Sequence, residues 1–447
     1  MEVKKIPIIG SLFGTLDSEG IEYGALVMAL GVVIFLIGFN FVGVSQSNVV
    51  SWLFYTAPLW LPYLTFKIFF AKWTQWVGMK FSAEGGREVL EIILPPEVLK
   101  TPEAMENFFT QVWPSGAADN LMQVYIDGKR PPILTYEIVS RGGDIHFYIT
   151  APTKIVQMVR DNLYAQYPGV DIQPTKVDYT AEVPNSLADW GFVSFHMNKK
   201  KDDHIPIKTY IDYGLDKTAK EEEKVDPMTP MLEALGSIKP GQQIWVQYIL
   251  KTHRALSLKS GSLKKEVEWD VAAHKYIDEK MQRDPKTKKG GADLEGFSRI
   301  TKGEQHEIER VERNIEKVAF DVSIRWCIMS APGVPFNASD IGKMLRAFAQ
   351  TEIKGVNGIG MKWRTDFNYH WFSDPFGKIL PALKKTELAE YKKRVLYPKG
   401  GGMGTKVFSV EELATLFHLP GTVAMTPTLN RVTSARSEAP SNLPTGN

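Results

Sequence analysis

From Tyr23 to Phe66 the chain carries no charged side chain. The first part, Gly24–Val44, is long enough as a helix to span roughly 30 Å, the thickness of a bilayer's hydrocarbon core. A polar break, Ser45–Asn48, follows, and Val49–Phe66 is apolar again and crowded with aromatic rings. Beyond it, cations and rings alternate, as a headgroup region favours. The pattern predicts a segment 1–22 and then a transmembrane helical hairpin with its juxtamembrane stretch over 23–80. Trp52, Trp60, Lys67, Lys72, Trp73 and Trp76 are its expected interface anchors, with membrane lipid as the partner. A cleaved signal peptide fits less well, because the apolar core is too long and Asp17, Glu19 and Glu22 precede it. Pro58 and Pro62 leave open a shallow, interfacial second helix. Lys4 and Lys5 lie before the hairpin, Lys67, Lys72, Lys80 and Arg87 after it, and none in the turn. Both ends are therefore expected on the cytoplasmic side.

After the linker Glu84–Arg87 the periodicity changes. Val89–Leu94 reads as a strand, and Thr101-Pro102 opens a helix with a capping residue and a proline at its first position. Met105, Phe108, Phe109 and Val112 recur at the spacing of one buried helical face. Strands at 133–140 and 145–151 flank the turn Arg141–Asp144, then a helix buries Ile155, Val156, Val159 and Leu163, and a strand follows Tyr167-Pro-Gly169. This β-α-β-β-α-β order predicts a ferredoxin-like unit over 85–182. Residues 183–372 repeat the plan with polar insertions. They hold strands at 244–252 and 319–329, a capping box at Thr301 and Glu304, and a helix burying Ile341, Met344, Leu345 and Phe348. The phrases HFYITAPTKIVQMVRDNL and RWCIMSAPGVPFNASDIGKML suggest a duplication. A helical connector spans 373–420, where Ser409 and Glu412 form a second capping box. The tail 421–447, without an aromatic residue, is expected to be extended or disordered. The fold class is thus α+β: the hairpin, two ferredoxin-like units, a short C-terminal helix and a tail.

Composition narrows function mainly by exclusion. A net charge of +2 with 23% charged residues does not describe a strongly basic nucleic-acid binder. The single cysteine, Cys327, allows neither an intramolecular disulfide nor a CxxC zinc site and sits in an apolar run as core filler. The basic clusters Lys199–Lys201 and Lys286–Lys289 are of a kind that can meet phosphate, but acidic residues accompany both. Gly355–Lys362, Asp340–Met344 and Gly400–Lys406 all lack the spacing of a phosphate-binding loop. His196, His204, His253 and His370 do not pair at metal-ligand spacings. No Gly-x-Ser-x-Gly elbow presents a nucleophile. The expectation is a protein that is not an enzyme acting alone and that needs no cofactor or metal.

Four phrases, LEIILPPEVLKTPEAMENFF, DPMTPMLEALGSIKPGQQIWVQYIL, VFSVEELATLFHLPG and SEAPSNLP, occur in an order that resembles a known region over about 85–444. This is the membrane-anchored N-terminal region of bacterial and archaeal type IV secretion and conjugation ATPases, within the HerA–FtsK superfamily. In that family the phosphate-binding motor begins shortly after such a segment, whereas this sequence stops at Asn447, so the expectation is that the ATPase is either a separate chain or has been removed. The resemblance therefore implies a platform of the prokaryotic inner membrane, homo-oligomeric, with its body in the cytoplasm, docking a separately encoded hexameric ATPase. The expected partner interface is Phe417, His418, Leu419 and Pro420 with Asn442, Leu443 and Pro444. The alternative is a membrane-anchored nucleic-acid or nucleotide-binding module, since ferredoxin-like sheets often bind RNA, although the exposed-aromatic RNA phrase is missing. An enzyme with an unrecognised site is the third class.

Overall fold

The computed structural model describes residues 46–95, 100–113, 118, 120–216, 226–253, 255–257, 264–266, 268–281, 301–365, 377–397 and 403–421. The elements run α1 (Gln46–Glu84), β1 (Glu88–Ile93), α2 (Pro102–Val112), α3 (Leu121–Tyr125), β2 (Ile133–Arg141), β3 (Asp144–Ala151), α4 (Thr153–Gln166) and β4 (Asp171–Pro174). After a 3-10 turn at Tyr179–Glu182 come β5 (Gly191–Lys199), α5 (Thr229–Gly236), β6 (Gln242–Thr252), β7 (Ala255–Ser257), β8 (Lys264–Glu266), α6 (Glu268–Lys280) and α7 (Lys302–Ile315). The last are β9 (Ala319–Ser330), α8 (Ser339–Ala349), β10 (Ile359–Arg364), α9 (Ile379–Lys393), β11 (Lys406–Ser409) and α10 (Val410–Leu416). The chain divides into two compact units, Met1–Glu84 with Ala118–Arg130, and Gly85–Ala117 with Pro131–Asn447.

In the first unit, α1 is one 39-residue helix with Pro58 and Pro62 inside it. Its C-terminal half meets α3: the Trp73 indole donates to the Tyr125 carbonyl (2.7 Å), and the Phe70 and Tyr125 rings lie 5.1 Å apart. Gly128, at φ 69°, follows α3 where a Cβ would come within 2.3 Å of the Val77 carbonyl oxygen, so only glycine fits this approach.

The transmembrane hairpin is corrected here. No helix among the described residues is long and apolar enough to cross a membrane. The expected second span lies inside α1, where two prolines, Ser, Thr and Gln residues and the cations from Lys67 onward dilute the apolar run. The expected first span, Gly24–Val44, lies outside the described residues. The hairpin, the lipid partner and the inner-membrane location that rested on it are not supported.

The second unit is built on one nine-stranded sheet in the order β10-β5-β9-β6-β2-β3-β1-β4, with β11 also pairing to β9. Every pair is antiparallel. The two ferredoxin-like units expected over 85–182 and 183–372 are thus not separate: they share one sheet, and it carries helices on both faces. β2 and β6 pair along their length, from Ile133 opposite Lys251 to Arg141 opposite Gln243. This seam fuses two halves whose strand orders, β4-β1-β3-β2 and β10-β5-β9-β6, are equivalent. Both seam strands are buried along most of their length on both faces, the environment of central rather than edge strands.

Strand alternation divides the core in two. On one face, Tyr136, Ile138, Phe147, Val246, Tyr248, Ile324 and Trp326 pack with α2, α4, α5, α8 and α10 in a cluster shared by both halves. On the other, Val139, Tyr148, Trp245, Cys327 and Met329 meet Tyr179, Val183 and α9 through Leu388 and Tyr391. The Gly142-Gly143 turn between β2 and β3 has φ of 63° and 104°, as a two-residue hairpin turn with two left-handed positions requires.

Candidate functional site

A transverse row of polar side chains crosses the α9-covered face. Strand register aligns Glu91, Tyr148, Glu137, Gln247, Arg325 and His196, from β1 through β3, β2, β6 and β9 to β5. Glu137 and Gln247, directly opposite each other at the seam, are both fully buried, as is Arg325. Such groups stay buried only when hydrogen-bonded to one another or to the backbone. The Gln247 amide donates to Glu137 (2.5 Å), and Arg325 Nε donates to the Gln247 carbonyl oxygen (2.6 Å).

α9 supplies the rest. Arg325 Nη2 donates to the Glu390 carbonyl at 2.9 Å, and His196 Nε2 lies 2.9 Å from Glu387. Arg394, which ends α9 in the left-handed conformation (φ 54°), forks onto both Glu137 oxygens at 2.8 and 3.0 Å. Its Nη1 donates to Asp178 at 2.7 Å. Burial works against the guanidinium charge, but Glu137, with Asp178, outweighs it and holds the Arg394 pKa above its ordinary value. Burial alone would raise Asp178; Arg394 overrides it and keeps that carboxyl below the usual range. The row can clamp α9 to the sheet. Its acids and bases pair with one another, while His196 Nδ1 and Arg325 Nη1 are buried without a hydrogen-bond partner.

A second charged cluster surrounds the start of α10. Ser409 caps the helix, accepting from the Glu412 amide, while the Glu412 carboxylate accepts from the Ser409 amide at 2.9 Å. Glu412 also pairs with Lys199 at 2.7 Å, both side chains fully buried, and accepts from the Ile207 amide at 2.9 Å. Burial pushes the Glu412 pKa up and the Lys199 pKa down, each against the attraction of the other. Glu411 takes Arg313 and Lys317 at 3.0 and 2.8 Å, and Lys317 continues to Glu106 at 2.7 Å.

The expected partner interface lies just beyond. Phe417, His418 and Leu419 are buried, so their side chains show no surface to a partner. The Phe417 ring lies 5.3 Å from Tyr136, 6.1 Å from Phe147 and 6.0 Å from Tyr248, touching both halves. His418 Nδ1 faces the Ala414 carbonyl (2.8 Å) and Nε2 faces Asp226 (3.1 Å). Pro420 is buried as well, whereas Asn442, Leu443 and Pro444 lie outside the described residues. Of the expected membrane anchors, Trp60, Lys67, Lys72 and Trp76 are exposed, Trp73 is half-buried, and the Trp52 side chain is outside the description.

The lysines offered for phosphate contact are engaged internally: Lys199 with Glu412, Lys200 with Glu352, and Lys201 with the Val356 carbonyl. Lys286–Lys289 lie outside the described residues. Among the described residues no group of three or more His, Cys, Asp or Glu side chains is placed to hold a metal. The transverse row was missed from sequence, although a signal existed. LTYEIVS, IWVQYIL and VSIRWCIM each carry one charged or amide side chain near the centre of a largely apolar strand.

Fold and site define a class: a duplicated α+β body whose two halves share one sheet and whose central charges serve its architecture. Residues 80–353, more than half of the chain, match the family described as a domain of unknown function (DUF8128), and the chain belongs to that family. No curated protein matches it.

Proposed function

We propose that the chain is a non-catalytic scaffold subunit of a type IV secretion- or conjugation-like translocation system, bearing a separately encoded hexameric ATPase of the HerA–FtsK kind. One observation carries this reading. The phrase VFSVEELATLFHLPG, part of the resemblance to the region preceding such motors, is seated at the centre of the body. Its helix α10 is tied to strand β5 through Glu412 and Lys199 and to helix α7 through Glu411 and Arg313, and Phe417 reaches strands of both halves. A load attached beyond Gly421 is therefore held by a segment that is buried along its whole length. Phe417–Pro420 acts as the root of the attachment and not as its contact surface.

The test is to co-express the protein with a HerA–FtsK-type hexameric ATPase from the same genome, with and without residues 422–447. The full chain should retain the ATPase through purification, and the shortened chain should lose it while keeping its thermal transition. Equal retention by both forms places the link elsewhere. No association of either form with the ATPase removes the scaffold reading.

A further inference from the structure

His418 lies where the described chain leaves the body, and its side chain is only 2% exposed. Each ring nitrogen faces an acceptor. Nδ1 lies 2.8 Å from the Ala414 carbonyl oxygen, and Nε2 lies 3.1 and 3.2 Å from the two carboxylate oxygens of Asp226. A neutral imidazole has one N–H and can donate to only one of them; donating to both takes a second proton. Asp226 does not hold that proton. Its Oδ1 also accepts from the Met228 amide at 2.7 Å, a bond that favours the ionised carboxylate. Burial works to raise the Asp226 pKa, but His418 and the Met228 amide outweigh it and hold the carboxyl below its usual range.

We infer that His418 is kept as a buried imidazolium and that its second proton latches a pH-sensitive joint between the exit of the C-terminal segment and the entry to α5. The joint ties positions 192 residues apart, and the His418 amide adds a contact to Met228 Sδ at 3.2 Å. The other titratable groups around it keep their charge. Tyr167, just beyond α4, lies beside Leu419 and Asp226 and is held neutral by burial. Tyr136 of β2 and Tyr248 of β6, which flank Phe417, are raised by burial in the same way. In α10, Glu411 and Glu412 are taken up by Arg313, Lys317 and Lys199, and Glu233 of α5 is exposed. When the joint opens, the imidazole meets water and titrates at about 6.5. The closed form keeps the proton above that pH and the open form releases it. The latch is therefore complete below about pH 6.5, and opening grows about tenfold per pH unit above it. In acid the sense reverses: the depressed Asp226 value keeps the carboxylate ionised until pH falls below about 3.9. The inference concerns the body alone and stands whether or not an ATPase is the load.

Hydrogen exchange of the full chain, read by mass spectrometry on peptides spanning 410–421 and corrected for intrinsic exchange, tests it. In wild type, protection should fall about tenfold for each pH unit above about 6.5, while peptides from α9, on the opposite face of the sheet, keep theirs. His418→Gln, which cannot titrate, should abolish the slope. A wild-type protection that does not change with pH overturns the inference. So does a slope that His418→Gln retains, or one that α9 shares. A second measurement does not depend on the variant folding. In the wild-type chain labelled with 15N-histidine, one ring, assigned to His418 through its neighbours in the chain, should keep both nitrogens protonated at about pH 8, where a free imidazole is neutral. Absence of any doubly protonated ring at that pH refutes the latch.

Discussion

Arg394 holds a backbone conformation that a residue with a Cβ enters at a cost of roughly 1–2 kcal/mol. The strain returns the guanidinium to the sheet, where Glu137 would otherwise be a fully buried carboxylate facing only Gln247 and Thr135. Removing one partner of a buried pair typically costs about 3–5 kcal/mol, so Arg394→Met should lose stability in that range in urea titrations. Arg394→Met combined with Glu137→Gln should lose less, because no unpaired charge remains. Asp178 adds a pH dependence. Its folded pKa is depressed, so its contribution is present above the unfolded value of about 3.9 and is lost as pH falls through the lower folded value. The stability difference between wild type and Asp178→Asn should be constant above about pH 5 and should shrink under stronger acid.

At the scale of elements, α10 shows how a short helix is secured. Seven residues make few internal hydrogen bonds, so the Ser409–Glu412 box and the ion pairs behind it carry much of its stability. Ser409→Ala should cost about 1–2 kcal/mol, readable as a shift of the denaturation midpoint at unchanged slope. That box was visible in the sequence, as were the Thr301–Glu304 box and the α2 face of Met105, Phe108, Phe109 and Val112, all four buried. Each is written in neighbouring residues. β5, β10 and β11 went unread because they are defined by partners far along the chain, such as Phe195 opposite Trp326 and Phe408 opposite Phe320. The α9 clamp escaped for the same reason: Arg394 meets Glu137 across 257 positions. The FHLP phrase was recognised but assigned outward, since an apolar helical face looks alike whether it meets a partner or its own core.

The β2–β6 seam makes the second unit more than the sum of two folds. Cutting it would turn β2 into an edge and uncover Leu134, Tyr136 and Ile138, which lie in the shared cluster with Val246 and Phe417. A fragment of residues 85–182 should therefore show no cooperative thermal transition, by circular dichroism or amide dispersion, although it contains every element of the first half. A cooperative melt in that fragment would mean that the halves are independent domains.

The seating of Phe417 also bears on how the protein is made. Its neighbours Tyr136 and Phe147 leave the ribosome about 270 residues earlier, a delay of roughly 15–50 s at about 5–20 residues per second. Throughout that interval the nascent first half has no α10 to cover it and no β6 to pair with for much of the time. The aromatic face of a growing sheet is thus on view to any chaperone near the tunnel exit, and maturation waits for nearly the last described residues to be translated.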